Sequence, residues 1–360
     1  MYRTIRKYLS EKREQKEIID GKVISRDIFG RVTVQTATGT FKAVDLRGRG
    51  TTSVMINNTA QNQNEFAIIA GNQERNIVQP TYYDLPTSQV SNQIAVVDVN
   101  NYRIQIFDKN GNYSKQFGNE IAFGMIRDIT VDDEGNFYIT ESYPGYEVHK
   151  YNSEGVYIST KSFSDPFGID YRNGYVYVAD GNISKCDKDL NIIQSFDIKG
   201  TTVPYKNPYD VAIDSNNNFI VTSDDAHIVR SYTSLGILQF TIGTAGISGS
   251  NDGKFWSPRG IAVDSQDNIY VCDAFNDRIQ KFDSSGNFIL KFGSSGNGNG
   301  EFNLPWFIAI DDDDHIYVTD LHNHRVQIFT NSGVFIKSFG SEGNGNGQFN
   351  MTMGICFSGE

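Results

Sequence analysis

The feature that most restricts this chain is a repeat. The segments SPRGIAVDSQDNIYVCDAFNDRIQKFDSSGNFILKFG at 257–293 and LPWFIAIDDDDHIYVTDLHNHRVQIFTNSGVFIKSFG at 304–340 align end to end. A repeat of this length points to solenoids, propellers or arrays. Each copy holds four short apolar or alternating runs parted by polar turn residues, the pattern of a four-stranded antiparallel meander. The residue that ends the second run recurs as Asp98, Glu141, Asp180, Ser223, Asp273 and Asp320, at intervals of 43, 39, 43, 50 and 47 residues, which makes six units. The first unit, at 94–118, lacks a first run of its own, whereas GQFNMTMGICFSGE at 347–360 is a first run with nothing after it. An open solenoid would carry capping units at both ends. One split unit predicts a closed ring in which the C-terminal strand completes the first blade and removes exposed sheet edges.

These residues resemble the NHL family of propellers. Its pattern, P-x-G-[IV]-A-[IV]-D, then [IV]-Y-V-x-D, then N-x-R-[IV]-Q-x-F, then F-G, is nearly complete in the fifth and sixth units and largely present in the first. The resemblance covers roughly 93–360 and implies an all-β, six-bladed NHL-type propeller. It leaves function open, because similar propellers serve as protein or RNA platforms, as receptor ectodomains, and as hydrolases or lyases. The Arg of the N-x-R turn is present as Arg103, Arg278 and Arg325 but gives way to Glu147, Asn182 and Ile228 in units two to four. The Arg is expected to pair with a nearby Asp as a structural tie. Its loss in three adjacent units marks an arc freed for specialised contacts.

Composition separates an N-terminal part from the repeats. Residues 1–76 hold 13 Lys and Arg against 8 Asp and Glu, so the other 284 residues carry −16 of the chain's −11 balance. Asn is absent from the first 56 residues and then occurs 33 times. The boundary falls between Asn72 and Val90, giving a helix at 1–20, a small OB-like β domain at 21–76, a linker at 77–92 and the propeller from 93. Small barrels of this kind also look like adaptor modules of phage tail proteins. No run of 18 apolar residues occurs, and the charged N-terminus offers no apolar stretch for a secretory signal. The expected location is a virion if the chain is phage-encoded, and otherwise the cytoplasm. Three cysteines, Cys186, Cys272 and Cys356, are too few and too scattered for a disulfide framework or a cysteine zinc site.

Chemistry finds little to stand on. The five histidines, His149, His227, His315, His322 and His324, all avoid the first strands, so no His-based metal is expected in the central channel. The run Asp311–Asp314 reads as an acidic turn rather than a calcium loop, and no nucleophile elbow, Walker loop or H-E-x-x-H occurs. No catalytic residue, metal or cofactor is therefore expected.

Geometry supplies a candidate surface. The residue after the Pro position of each unit, Arg127, Phe167, Tyr209, Arg259, Trp306 and Met353, should ring the mouth of the channel. Its aromatic and Arg content suits a glycan or protein ligand. Tyr143, Tyr146, Asp224 and His227, in the irregular turns, are expected to extend that face. Nucleic acid is disfavoured, because phosphate binding needs the opposite charge. The sequence reading is a non-catalytic binding module held on a larger assembly by residues 1–76, as a structural or receptor-binding component of a phage tail or baseplate. The alternative is a hydrolase or lyase of the gluconolactonase or amidating type, which a bound metal would favour.

Overall fold

The β-branched and aromatic runs pair as antiparallel meanders in the computed structural model, which describes six N-terminal strands between 16 and 70 and then residues 93–118, 124–198 and 208–358. The chain divides into two units, Met1–Ser88 and Gln89–Glu360. In the larger unit each of six sheets has four strands in sequence order, except that Thr352–Ser358 forms the first strand of the sheet continued by Gln93–Asp98, Arg103–Phe107 and Tyr113–Phe117. The remaining innermost strands are Ile126–Val131, Ile169–Arg172, Val211–Ile213, Pro258–Val263 and Pro305–Ile310. Each innermost strand contacts the next, and Thr352–Ser358 touches both Pro305–Ile310 and Ile126–Val131. The ring is closed, and the protein is an all-β six-bladed propeller over these residues.

The sequence motifs map onto the joints between blades. The Phe that ends a fourth strand packs against the aromatic of the next blade's third strand, as with Phe292 and Phe329 at 4.9 Å between ring centroids. The same contact joins the last blade to the first, with Phe339 and Phe107 4.8 Å apart. The Gly of P-x-G marks where innermost strands crowd together: a Cβ on Gly260 would lie 2.5 Å from Phe307 Cα and 2.7 Å from the Trp306 carbonyl oxygen. Both contacts are backbone, so neither can swing away. Gly260→Ala is expected to cost about 1–3 kcal/mol, the usual range for overpacking, and a variant melting within a degree of the parent would contradict this packing.

The abundance of Asn has a cause in the turns. Asp264 Oδ1 accepts the backbone N–H groups of Gln266 and Asn268, at 3.0 and 2.8 Å, while Asn268 Nδ2 donates back to Asp264 Oδ2 at 2.9 Å. The same Asp-to-Asn arrangement recurs at Asp132, Asp187, Asp214 and Asp283. Such local side-chain bonds fix tight turns. Asp311 plays this part in the acidic run, accepting from the N–H of Asp313 and His315, and Asp314 accepts from Ser265 of the preceding blade.

The N-terminal unit differs from expectation where it is described. Lys16–Ile19, inside the expected helix, is a strand paired with Lys22–Arg26, and residues 2–15 lie outside the described residues. Asp20-Gly21, which separates these two strands in the sequence, is a dipeptide that two-residue hairpins favour. The sheet continues through Arg31–Thr36 and Gly39–Asp45, while Thr52–Ile56 and Phe66–Ala70 form a separate hairpin. Among the described residues no pairing closes these strands into a barrel, so the OB-like reading is not shown. The linker at 77–92 lies outside the described residues. No described helix is long and apolar enough to cross a membrane.

Candidate functional site

The site begins with the bulge that opens most innermost strands. Pairing with the second strand slips between Ile126 and Ile129, Pro258 and Ile261, Pro305 and Ile308, and Thr352 and Ile355. Each slip encloses one of the expected ring residues, and bulges are devices for re-aiming a side chain. The result is a cluster across one end of the channel. Phe167 and Tyr209 lie 5.1 Å apart, and Tyr209 meets Trp306 at 6.3 Å. The Arg127 guanidinium stands 5.0 Å from the Phe167 ring, and that of Arg259 lies 3.7 Å from Trp306 and 4.6 Å from Tyr209. Cations over aromatic faces gain from the ring quadrupole.

This cluster is a plug more than an open mouth. Tyr209, Trp306 and Met353 are only 4%, 8% and 4% exposed and belong to the hydrophobic core, while Arg127, Phe167 and Arg259 are half-buried. The channel is instead hollow on the far side of the plug. A cavity of about 580 Å³ runs along the later residues of the innermost strands, lined by groups such as Thr130, Tyr171, Ile213, Val263, Ile310 and Phe357. None of the six plug residues borders it.

Electrostatics divides the two Arg residues. Arg259 donates to the Tyr209 hydroxyl at 2.7 Å and approaches Asp224 at 3.5 Å, so it is partly neutralised. Arg127 donates through Nε to Ser142 Oγ at 2.9 Å and makes no ion pair among the described residues. Burial pulls its pKa below the ordinary guanidinium value, with the neighbouring Arg259 charge acting in the same direction. A half-buried cation of this kind is stabilised by an incoming anion.

The other expected residues divide between surface and scaffold. Tyr143 is 70% exposed and packs edge-on with Tyr146 at 6.3 Å. Asp224 belongs to the Arg259 group. His227 Nδ1 accepts the Ser257 N–H at 3.1 Å, just as His324 Nδ1 accepts that of Met351 and Asp277 that of Leu304. His227 therefore occupies a position that also holds loops in the regular blades. The structure does not join Tyr143 and Tyr146 to the plug through any described aromatic contact.

Two aromatic residues that sequence reasoning passed over lie beside the plug. Trp256 and Phe275 are 50% and 43% exposed, with ring centroids 5.7 Å apart and only 30° between planes. The Phe275 N–H donates to the Trp256 carbonyl, and the Arg259 guanidinium lies 5.8 Å from the Phe275 ring. The aligned positions in the other regular blades are polar. Trp256 N–H donates to Asp273 Oδ1 where Asn303 and Asn350 donate to Asp320 and Asp98, and Phe275 stands where those blades carry His322 and Asn100. The signal was present in the alignment of blades, as an aromatic pair breaking a polar pattern.

Three carboxylates occupy small-residue positions of the innermost strands. Asp128, Asp170 and Asp210 each bond a backbone N–H of the following blade, on Ile169, Ile213 and Ile261 at 3.0, 2.9 and 2.9 Å. Burial pushes the Asp128 carboxyl well above the ordinary carboxylate value, and the charge of Asp210 adds to the rise. Burial raises Asp210 as well. A carboxyl with a higher pKa folded than unfolded gives stability that is present below its unfolded pKa, about 3.9, and is lost as pH climbs through the folded value. Asp128→Asn is expected to remove this loss, so that its melting temperature gains on the parent's as pH rises above about 4. Parallel pH profiles would contradict the assignment.

Comparison with known proteins agrees with the architecture. A family model described as NHL repeat matches residues 255–282 and 302–329. The chain is 29% identical over 118 residues to Protein brain tumor of Drosophila melanogaster, covering 29% of this chain and 11% of that protein. It is 48% identical over 48 residues to Protein lin-41 of Caenorhabditis elegans, covering 13% of this chain and 4% of that one. The matches thus span a small part of either relative. Among solved structures, a protein of unknown function from Bacteroides caccae superposes with a TM-score of 0.57 at 12% identity, over 74% of this chain and 99% of the other. A streptogramin B lyase gives 0.51 at 15% identity, over 74% and 90%. These two likenesses concern the fold alone. Two of the six blades match the NHL repeat model.

Proposed function

We propose that this NHL-repeat propeller is a non-catalytic binding module that captures a carboxylate-bearing peptide segment on the face holding the plug. The observation that carries the reading is the Trp256–Phe275 pair, exposed where sibling blades are polar, beside the half-buried Arg259, whose charge in turn acts on Arg127. Exposed aromatics next to Arg have the composition of binding hot spots. Arg127, which makes no close ion pair among the described residues although Asp165 and Asp224 act on it from farther off, supplies the attraction for a carboxylate. The negative balance of the remaining surface is screened over distances beyond about 8 Å at physiological salt. Panning the full chain against a random peptide display library is expected to enrich acidic sequences. Trp256→Ala should then weaken a selected peptide by tenfold or more, while changing the melting temperature little. Enrichment of basic peptides, or indifference to Trp256→Ala and Arg127→Gln, would sink the reading.

Part of the support for a non-enzyme is that His227 and His324 hold backbone N–H groups and His315 closes a turn onto Asp311, while His149 lies on a third strand away from the channel. The charge contrast between residues 1–76 and the rest supports a division of labour in which the basic part docks on a larger assembly, a phage tail or baseplate being the proposed setting. A chain limited to 77–360 should then bind its peptide but fail to join that assembly. Incorporation of the truncated chain would overturn the division.

A further inference from the structure

In the regular blades the carboxylate that ends the second strand is surrounded by donors. Asp273 accepts from Asn276, Arg278 and Gln280, and Asp98 and Asp320 accept from the same three residue types. Blade two has lost this set. Strand register places Glu141 at the Asp, Glu147 at the Arg and His149 at the Gln. Two carboxylates and an imidazole therefore stand where sibling blades hold one carboxylate and a guanidinium.

The replacement is built, not splayed into solvent. Glu141 and His149 are 5% and 4% exposed, and Glu141 Oε2 lies 2.9 Å from His149 Nε2. Glu147 Oε2 is 3.9 Å from the same nitrogen, and all three ligand atoms fall within 4.8 Å of one another. Thr160 Oγ1, 2.6 Å from His149 Nδ1, fixes the ring. The other Glu141 oxygen sits against Gly145 and Gly124, where a Cβ would come within 2.5 and 2.6 Å, and no hydrogen bond reaches it among the described residues. A buried carboxylate with a second carboxylate for company calls for a cation.

We propose that Glu141, Glu147 and His149 form a site for a borderline first-row divalent ion, with Zn²⁺ the best fit. Bonds of about 2.0–2.2 Å to nitrogen and oxygen set the ligand atoms of a tetrahedral centre roughly 3.3–3.5 Å apart, and the observed spacings bracket that value. The imidazole selects against Ca²⁺ and Mg²⁺, which prefer all-oxygen shells. With the ion on Nε2, His149 Nδ1 carries the proton and donates to Thr160, the orienting bond that metal-bound imidazoles regularly make. The ion takes over the charge that Arg supplies in the regular blades. This site stands apart from the peptide-binding reading, since neither Arg127 nor Trp256 belongs to it, and from the hydrolase or lyase alternative, since Glu141 lies on a second strand and Glu147 and His149 on a third, away from the innermost strands that line the channel.

Titration of the full chain with Zn²⁺, followed by calorimetry and by proton release, tests the assignment. The expected result is one ion per chain, weakened at least tenfold in Glu147→Gln and a hundredfold in His149→Gln, and unchanged in His315→Gln. Because Glu147 is partly exposed, its variant reports on the site even if the His149 variant fails to fold. No uptake of Zn²⁺, equal affinity in Glu147→Gln, or loss in His315→Gln would overturn the proposal. The first of these outcomes would leave an imidazolium held by the two carboxylates; the last would move the ion to Asp311, Asp313 and His315.

Discussion

Removal of residues 349–360 is expected to abolish the cooperative melting of the propeller. Thr352–Ser358 is the innermost strand of the first blade, paired with Gln93–Asp98 in a register that sets Cys356 opposite Ala95. The deletion takes away Phe349, Met353, Ile355 and Phe357, all buried. Losing one large core side chain costs about 2–5 kcal/mol, so four together cost about 8–20 kcal/mol, as much as the roughly 5–15 kcal/mol that holds a typical domain folded. The hydrogen-bonding edge of Gln93–Asp98 also loses its cover, inviting association between chains. Calorimetry of the shortened chain should show no native-like transition. An unchanged transition would mean that the ring does not depend on its C-terminal strand.

The largest expected effect of a single substitution belongs to Asp273→Ala. Asp273 is fully buried and accepts hydrogen bonds from the Trp256 N–H at 2.7 Å, from Asn276 at 2.9 Å, from Arg278 at 2.7 Å and from Gln280 at 3.1 Å. Burial raises its pKa despite these donors, so the ion pair with Arg278 is no large source of stability in itself. Breaking it is another matter, because the Arg278 guanidinium would be left buried without its carboxylate. The expected loss is about 3–5 kcal/mol, read as a lower denaturation midpoint. The same change frees the backbone of Trp256, so peptide binding should weaken in parallel. A loss below about 1 kcal/mol would show that the carbonyls of Ser250, Asn251 and Lys254, which also accept from Arg278, suffice to hold it.

The repeat made the architecture legible, since every motif position has a repeated physical task. The Phe of F-G fills a joint between blades, the Gly of P-x-G allows innermost strands to approach, and the Asp and Asn of the turns bond each other. The place of the ring residues was legible for the same reason, because they share one position of the repeat. Their burial was not: Tyr209 is covered by Arg259 and Trp306, partners 50 and 97 residues away, and no single blade records that contact. Trp256 and Phe275 were readable only by asking where a regular blade departs from its siblings, whereas the sequence argument looked among irregular blades. At the N-terminus, good helix formers drew attention from the Asp20-Gly21 dipeptide beside the Lys16–Ile19 strand.

The central claim is that the plug face, not the hollow end of the channel, is the working surface. Hydrogen exchange of the full chain with and without a selected acidic peptide tests it most directly. Protection is predicted in the backbone amides of 254–259 and 274–278 and around Arg127, with none in the turns at 132–136 and 172–174 near the cavity. Protection confined to the cavity turns, with 254–259 and 274–278 exchanging as in the free protein, would contradict the account.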